Sequence, residues 1–193
     1  MDYLIVLPVI KYPFLVARCI SKLPKDKLLI IDNSQESFCK QFYKYDVEYH
    51  PENLGVGASW NVGLKRGHDY TIFLSASMDV KGSLNDWLSK ASEYGLYSNH
   101  FWHLVAIGKK TVEKIGYIDE NFYPAYYEDN DYKRRMELAS IYLPKCEIEA
   151  SSAGNAMSKK AGVPLNIPAC QEYYIKKWGA LPPNETYLTP FNL

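Results

Sequence analysis

The apolar positions of this chain fall in short dense runs separated by stretches with helical spacing, which predicts buried strands alternating with helices. Tyr3 to Val9 is a continuous apolar run of buried-strand length. Pro13 then opens a helical pattern that places Leu15, Cys19 and Ile20 on one side, and Pro24 stops it. Lys27 to Asp32 reads as a second buried strand, Val47 to His50 as a short third, and Tyr70 to Leu74 as a fourth. Between the last two, Ala58 to Arg66 reads as a helix closed by Gly67. Beyond Leu74 the pattern is less regular. It predicts a helix over Leu84 to Ala91, a strand over His103 to Ile107, and a helix capped by Thr111 that ends at Gly116. A helix over Asp131 to Leu138 follows, then an edge strand over Cys146 to Glu149. A last helix from Pro168 through Ile175 leads into an extended tail. The fold class expected is α/β, a three-layer αβα sandwich around a mostly parallel sheet.

In such sheets ligands sit at the carboxyl ends of the strands. That rule directs attention to Val9, Asp32 and the stretch Ser75 to Asp79. Composition narrows the classes. A chain of 193 residues suits one α/β domain, with no repeat, low-complexity stretch or linker. Lys+Arg and Asp+Glu both number 22, so bulk charge gives no reason to expect nucleic acid or an anionic membrane as partner. Lys109-Lys110 and Lys176-Lys177 read as solvated faces. The 17 tyrosines would suit a sugar site, although most are expected in the core. Cys19, Cys39, Cys146 and Cys170 form no C-x-x-C pair, which argues against zinc and for reduced thiols in a cytoplasmic protein. The run Leu4-Ile5-Val6-Leu7 is too short to span a membrane or to serve as a signal peptide.

Three places carry candidate chemistry. Asp32 ends a buried strand, where its carboxylate could accept hydrogen bonds from a nucleobase or ribose. Asp32-Asn33-Ser34 is equally strong turn chemistry, and the two readings stand even. Asn53-Leu54-Gly55-Val56-Gly57 offers glycines for close approach to a ligand. It fails the dinucleotide pattern G-x-G-x-x-G because Trp60 stands where the third glycine belongs. Asp79, in Ser77-Met78-Asp79 just past the fourth strand, could hold a divalent cation, or could be a lone loop cap. The segment Glu128-Asp129-Asn130-Asp131 is the strongest. Three carboxylates in four residues repel one another, and that repulsion can raise one pKa and place a general base beside an acceptor hydroxyl. An acidic helix N-terminus suited to its dipole is the plain alternative, and both can hold.

Over residues 3 to about 150 these features together resemble the family 2 glycosyltransferases of the GT-A fold, of a small phage, viral or bacterial type. Tyr3 to Ile10, with Pro8, resembles the opening strand, and Leu28 to Ser34 the second, whose terminal aspartate contacts the donor base. Glu52 to Gly63 resembles the N-x-G-x-x-x-x-x-N-x-G stretch on the nucleoside side. Ser77-Met78-Asp79 falls where the family has its acidic metal motif. Ile115 to Tyr123 followed by Tyr127 to Tyr132 and Arg135 resembles the signature I-G-x-F-D-E-x-F … E-D-x-D-x-x-x-R, a long and specific match.

The resemblance implies an inverting transfer of a hexosyl or deoxyhexosyl group from a nucleoside-diphosphate sugar, UDP- or dTDP-linked, to a glycan or other hydroxyl acceptor, as in polysaccharide biosynthesis. Asp129 would be the general base. Pro8, Asp32, Asn53, Gly57, Trp60, Asn61, Ser77 and Asp79 would line the donor, and Trp102, His103 and Glu128 the sugar or acceptor. The implied cofactor is manganese or magnesium on Asp79. Residues 1–80 would form the nucleotide-binding half, 81–150 the acceptor half, and 151–193 a C-terminal helix and tail, in a cytoplasm that could be an infected host's. Two departures stand out. Ser77 replaces the first acid of the metal motif, and the stretch Ile148 to Gly154 lacks the histidine that many relatives supply. Trp60 also stands where relatives often have Arg. A nucleotidyltransferase is disfavoured because Pro8 to Pro13 is no glycine-rich, basic loop. A degenerate sugar-nucleotide or glycan-binding module remains the second reading.

Overall fold

The computed structural model describes residues 1–34, 42, 44–152 and 165–193. Its centre is a six-stranded sheet in the order β3-β2-β1-β4-β7-β6. The strands are β1 (Tyr3–Val9), β2 (Leu28–Asp32), β3 (Asp46–Tyr49), β4 (Tyr70–Leu74), β6 (Gly95–Ser98) and β7 (Phe101–Gly108). β1 pairs in parallel with both β2 and β4, and β2 with β3. β7 runs antiparallel to β4 and to β6, so it alone opposes the direction of the other five. A separate two-stranded ribbon joins β5 (Met78–Val80) to β8 (Ala150–Ser152).

The period-two alternation of the central strands assigns their side chains to two cores. Ile5, Leu7, Leu28, Ile30, Ile72 and Leu74 meet Val16 and Ile20 of α1 (Pro13–Ile20) and Trp87 of α3 (Leu84–Leu88). Leu4, Val6, Leu29, Ile31 and Phe73 meet Trp60 and Leu64 of α2 (Gly55–Leu64) and Tyr132 and Met136 of α5 (Glu128–Leu138). Helices therefore cover both faces of a mostly parallel sheet, as the apolar runs predicted. β1 leads to β2 on one side while β4 lies on its other side. This reversal of strand order is the crevice where open α/β sheets bind ligands.

Several boundaries differ from the sequence expectation, each for a local reason. α2 starts at Gly55, three residues early. Gly55 takes φ +79, its N–H donates to Asn53 Oδ1 at 2.9 Å, and the Val56 N–H donates to Pro124 O at 2.8 Å, so early orphan donors are satisfied from outside the helix. Thr111 does not cap. It lies inside α4 (Lys109–Ile115), and its hydroxyl donates to Tyr94 O at 2.7 Å. The edge strand expected over Cys146 to Glu149 is displaced: Cys146 N donates to Tyr97 O at 2.9 Å, and regular pairing begins only at Ala150, to β5. α3 stops at Leu88, short of Ala91.

The last helix, α6 (Ile167–Trp178), forms a third core in which Cys170, Tyr174 and Trp178 enclose Phe122. The tail beyond it is not extended. The N–H groups of Thr186 and Tyr187 both donate to Trp178 O at 3.1 Å, which folds the chain back over α6. Among the described residues no helix is long and apolar enough to cross a membrane.

Candidate active site at the carboxyl edge of the sheet

The reversal of strand order brings together the ends of β1, β2 and β4 with the start of β7. At the end of β2, Asp32 is fully buried and its Oδ1 accepts from Ser34 N at 3.0 Å and Ser34 Oγ at 2.6 Å. The turn chemistry read from Asp-Asn-Ser is therefore present. Asn33, which the sequence reading passed over, ties this turn to α2: its amide donates to Ser59 Oγ at 2.9 Å and accepts from Leu54 N at 3.0 Å. Pro8 sits half-buried one residue before the end of β1, opposite Ile31.

The stretch Asn53 to Gly63 holds α2 against its neighbours through most of its distinctive residues. Asn61 is buried, donates to Ile118 O and Glu120 Oε1 at 2.8 Å, and accepts from Ile118 N at 2.9 Å. A Cβ on Gly57 would stand 3.0 Å from Ile118 Cγ2, so that glycine admits the 115–120 segment. Trp60 stacks on Phe73 at 4.6 Å and 2° and is 6% exposed. Trp60 packs in the core with its Nε1 unpartnered among the described residues, and the Asn61 side chain is engaged by the 118–120 segment. Trp102 continues the aromatic stack, 6.1 Å from Trp60, and stays half-buried at the start of β7 beside His103.

α5 carries the acidic cluster in its first turn, complementary to the positive end of the helix dipole. The two residues before it, Tyr126 and Tyr127, hold φ of 82 and 71, a left-handed conformation costing about 1–3 kcal/mol per residue. Packing of Tyr127 against Tyr174, with ring centroids 5.4 Å apart, helps to hold the second of them. The three carboxylates then separate sharply. Asp131 is fully buried and accepts from Arg135 Nε at 2.9 Å, Trp178 Nε1 at 2.9 Å and Lys177 Nζ at 2.6 Å. Its role is anchorage. Lys177 also reaches Asp119 Oδ2 at 2.7 Å, and Arg135 donates to Ile115 O and Tyr117 O. Lys177 is 6% exposed, so the reading of Lys176-Lys177 as a solvated face fails for the second lysine. Its spacing from Cys170, Tyr173 and Tyr174 placed it on the apolar stripe of α6, a signal that was present in the sequence.

Asp129 and Glu128 have no such cations bound to them among the described residues. Burial raises Asp129 above the ordinary carboxylate value, and the Asn130 N–H, at 2.8 Å, with the His103 charge partly offsets the rise. Burial, then the Asp129 charge, pushes Glu128 up to about 8, and its Oε2 has no hydrogen-bond partner among the described residues. Burial, then His100, lowers His103, whose ring feels the opposing charge of Asp129. Asp129, Glu128 and His103 thus form one electrostatic group in which burial raises both carboxyls, Glu128 up to about 8, and raised carboxyls are more basic, as general-base chemistry needs.

No family model matches the sequence. A 49-residue stretch is 43% identical to a galactofuranosyl glycosyltransferase of Leishmania donovani, covering 24% of this chain and 11% of that protein. The architecture is more widely shared. The fold superposes on GalNAc-T7 in complex with UDP, GalNAc and Mn2+ with TM-score 0.62 and 11% identity, over 92% of this chain. The fold is that of the GT-A glycosyltransferases. Staphylococcus aureus TarS with UDP-GlcNAc gives TM-score 0.55 at 11% identity over 89% of the chain. A Drosophila β1,4-galactosyltransferase 7 variant with manganese, UDP-Gal and xylobiose gives 0.51 at 13% over 86%. This GT-A chain spans 48% of the GalNAc-T7 chain, 64% of TarS and 77% of the galactosyltransferase.

Two of those neighbours hold manganese, and the residues of this GT-A fold can be tested for the same ion. No group of three or more His, Cys, Asp or Glu side chains that could hold a metal exists among the described residues. Residues outside the description add Glu36 and Cys39 but no histidine. Asp79, the expected ligand, alternates away from the buried Met78 and Val80 on β5, and its Oδ1 lies 3.6 Å from Lys22 Nζ. At the end of β4 itself stand hydroxyls, with Ser75 Oγ 2.9 Å from Ser77 Oγ. These residues do not fit a resident divalent cation, which takes its ligands chiefly from carboxylates.

Proposed function

We propose that this chain is an inverting glycosyltransferase that moves a hexosyl or deoxyhexosyl group from a nucleoside-diphosphate sugar, UDP- or dTDP-linked, to a hydroxyl of a glycan acceptor. The observation that carries the reading is Asp129. Its carboxylate sits at the carboxyl edge of a GT-A fold beside His103, and none of the cations that neutralise Asp131 pairs with it. In the proposed step the acceptor oxygen attacks the anomeric carbon while Asp129 takes its proton. The bond from that carbon to the diphosphate oxygen breaks on the opposite face, and its electron pair leaves with the nucleoside diphosphate. Glu128, raised to about 8 and so protonated near neutral pH, would donate a hydrogen bond to the acceptor or the sugar. Trp102 and His103 would flank the same position, and Pro8, the Asp32 turn and Asn53 the nucleoside.

Incubating the chain with a panel of UDP- and dTDP-sugars and measuring released nucleoside diphosphate tests the proposal, and NMR of the product's anomeric configuration tests inversion. A retained configuration would overturn the single displacement. One observation favours a second reading, a sugar-nucleotide-binding module: serines stand at the end of β4 where acids were expected. Measurable nucleotide binding with no turnover on any donor and acceptor would select that module.

A further inference from the structure

We infer that this site binds its donor diphosphate without a resident divalent cation, through a cluster of serine hydroxyls at the end of β4. The inference rests on the proposed function and concerns how the same site handles charge.

Three hydroxyls converge there from two segments. Ser75 follows β4 directly, and its backbone N–H donates to His103 O at 3.0 Å, which places it beside the segment that faces Asp129. Its Oγ lies 2.9 Å from Ser77 Oγ and 3.3 Å from Ser77 N. Antiparallel pairing of β5 with β8 sets Met78 against Ser152 and brings Ser152 Oγ within 3.4 Å of Ser77 Oγ. Ser77 is buried and Ser152 exposed, so the cluster runs from the protein interior to solvent. Each hydroxyl has one donor hydrogen and two lone pairs, so the Ser75–Ser77 pair can exchange its mutual hydrogen bond for one from Ser77 Oγ to a charged phosphoryl oxygen.

The same geometry is poor for manganese or magnesium. Neutral hydroxyls bring no charge to offset that of the ion, and a divalent cation is ordinarily held by one or two carboxylates together with substrate phosphates. The nearest carboxylate along the chain, Asp79, sits opposite Ser151 on the ribbon and faces Lys22, and its charge adds to the burial that raises Cys19 on α1. An ion at Ser75 and Ser77 would have to compete with Lys22 for that single carboxylate.

Titration calorimetry of the full chain with UDP and with dTDP, in EDTA or in millimolar Mn2+, decides the matter without relying on turnover. The expected result is one affinity in both buffers, within about twofold. Ser77→Ala should weaken binding about three- to tenfold in either buffer, the loss of one hydrogen bond. A Ser75→Asp/Ser77→Asp variant should bind poorly in EDTA and recover in Mn2+, because the introduced carboxylates repel the diphosphate until a cation bridges them. A parent protein that loses tenfold or more of its affinity in EDTA would overturn the inference, as would Ser77→Ala binding like the parent. Binding of neither nucleotide in either buffer would instead overturn the proposed function and this inference with it.

Discussion

Asp129 and Asp131 stand two residues apart on one turn of α5 and live in opposite electrostatic settings. Asp131 is enclosed by a guanidinium, an ammonium and an indole N–H. Asp129 accepts from the backbone N–H of its neighbour and is otherwise raised by burial. A half-turn of helix thus turns one acid into a rivet and leaves the other basic enough to take a proton. The difference lies in which side of α5 faces α6. The side that meets the last helix is neutralised by cations, and the side that meets β7 is raised by burial with no bound cation among the described residues.

The largest effect that can break this contrast is on turnover. Asp129→Asn should lower the rate of sugar transfer by about 10²–10⁴-fold, the usual worth of a positioned general base, with nucleoside diphosphate affinity close to the parent's. Steady-state transfer assays beside calorimetry check it, and near-parental transfer would remove Asp129 from the role. Next comes stability. Asp131→Ala strips the partner from a buried lysine and leaves Arg135 and Trp178 short of an acceptor, so it should cost about 3–5 kcal/mol in denaturant unfolding. Asp129→Asn should cost far less in the same assay. Equal losses would erase the distinction drawn between the two acids.

The smallest effect sharpens the picture of Glu128. Its folded value of about 8 lies above the ordinary 4.5, so the folded state holds this proton more tightly than the unfolded chain does. That contribution is intact below about pH 4.5 and is lost as pH rises through 8, so stability should decline across that window. The raised value of Asp129 acts in the same direction. Glu128→Gln should flatten the decline when urea midpoints are compared from pH 5 to 8.5. An unchanged slope would show that Glu128 does not hold the proton assigned to it.

The strands that build the sheet were legible because their apolar runs are uninterrupted; the boundaries of β1, β2 and β4 fall within a residue of expectation. The direction of β7 was not, since its apolar run is equally consistent with either sense of pairing. The acidic signature was visible as a motif, but its division of labour depended on α6, which reaches Asp131 from 47 residues away. Likewise the motif around Asn53 to Gly63 was recognised, while its use in holding the 115–124 segment through Asn61, Gly57 and Gly55 required the tertiary contacts. Asp79 was singled out by proximity in sequence to β4. The β5–β8 ribbon sets it opposite Ser151 and its carboxylate faces Lys22, and nothing in the local pattern announced a pairing with a segment some 70 residues on.

Lys177 gives the fold an order of completion. The turn that carries Asp129 precedes the last helix by about 40 residues, yet the ammonium that locks it comes from that helix, bonded at once to Asp119 and Asp131. Until that helix docks, Asp119 lacks its ammonium and Asp131 has Arg135 as its one cation among the described residues, and the left-handed pair Tyr126-Tyr127 lacks the ring of Tyr174 against which it is held. The site is therefore keyed shut from the far end of the sequence. A chain released short of residue 177 would carry every atom proposed for proton transfer but lack the ammonium that ties Asp119 to Asp131.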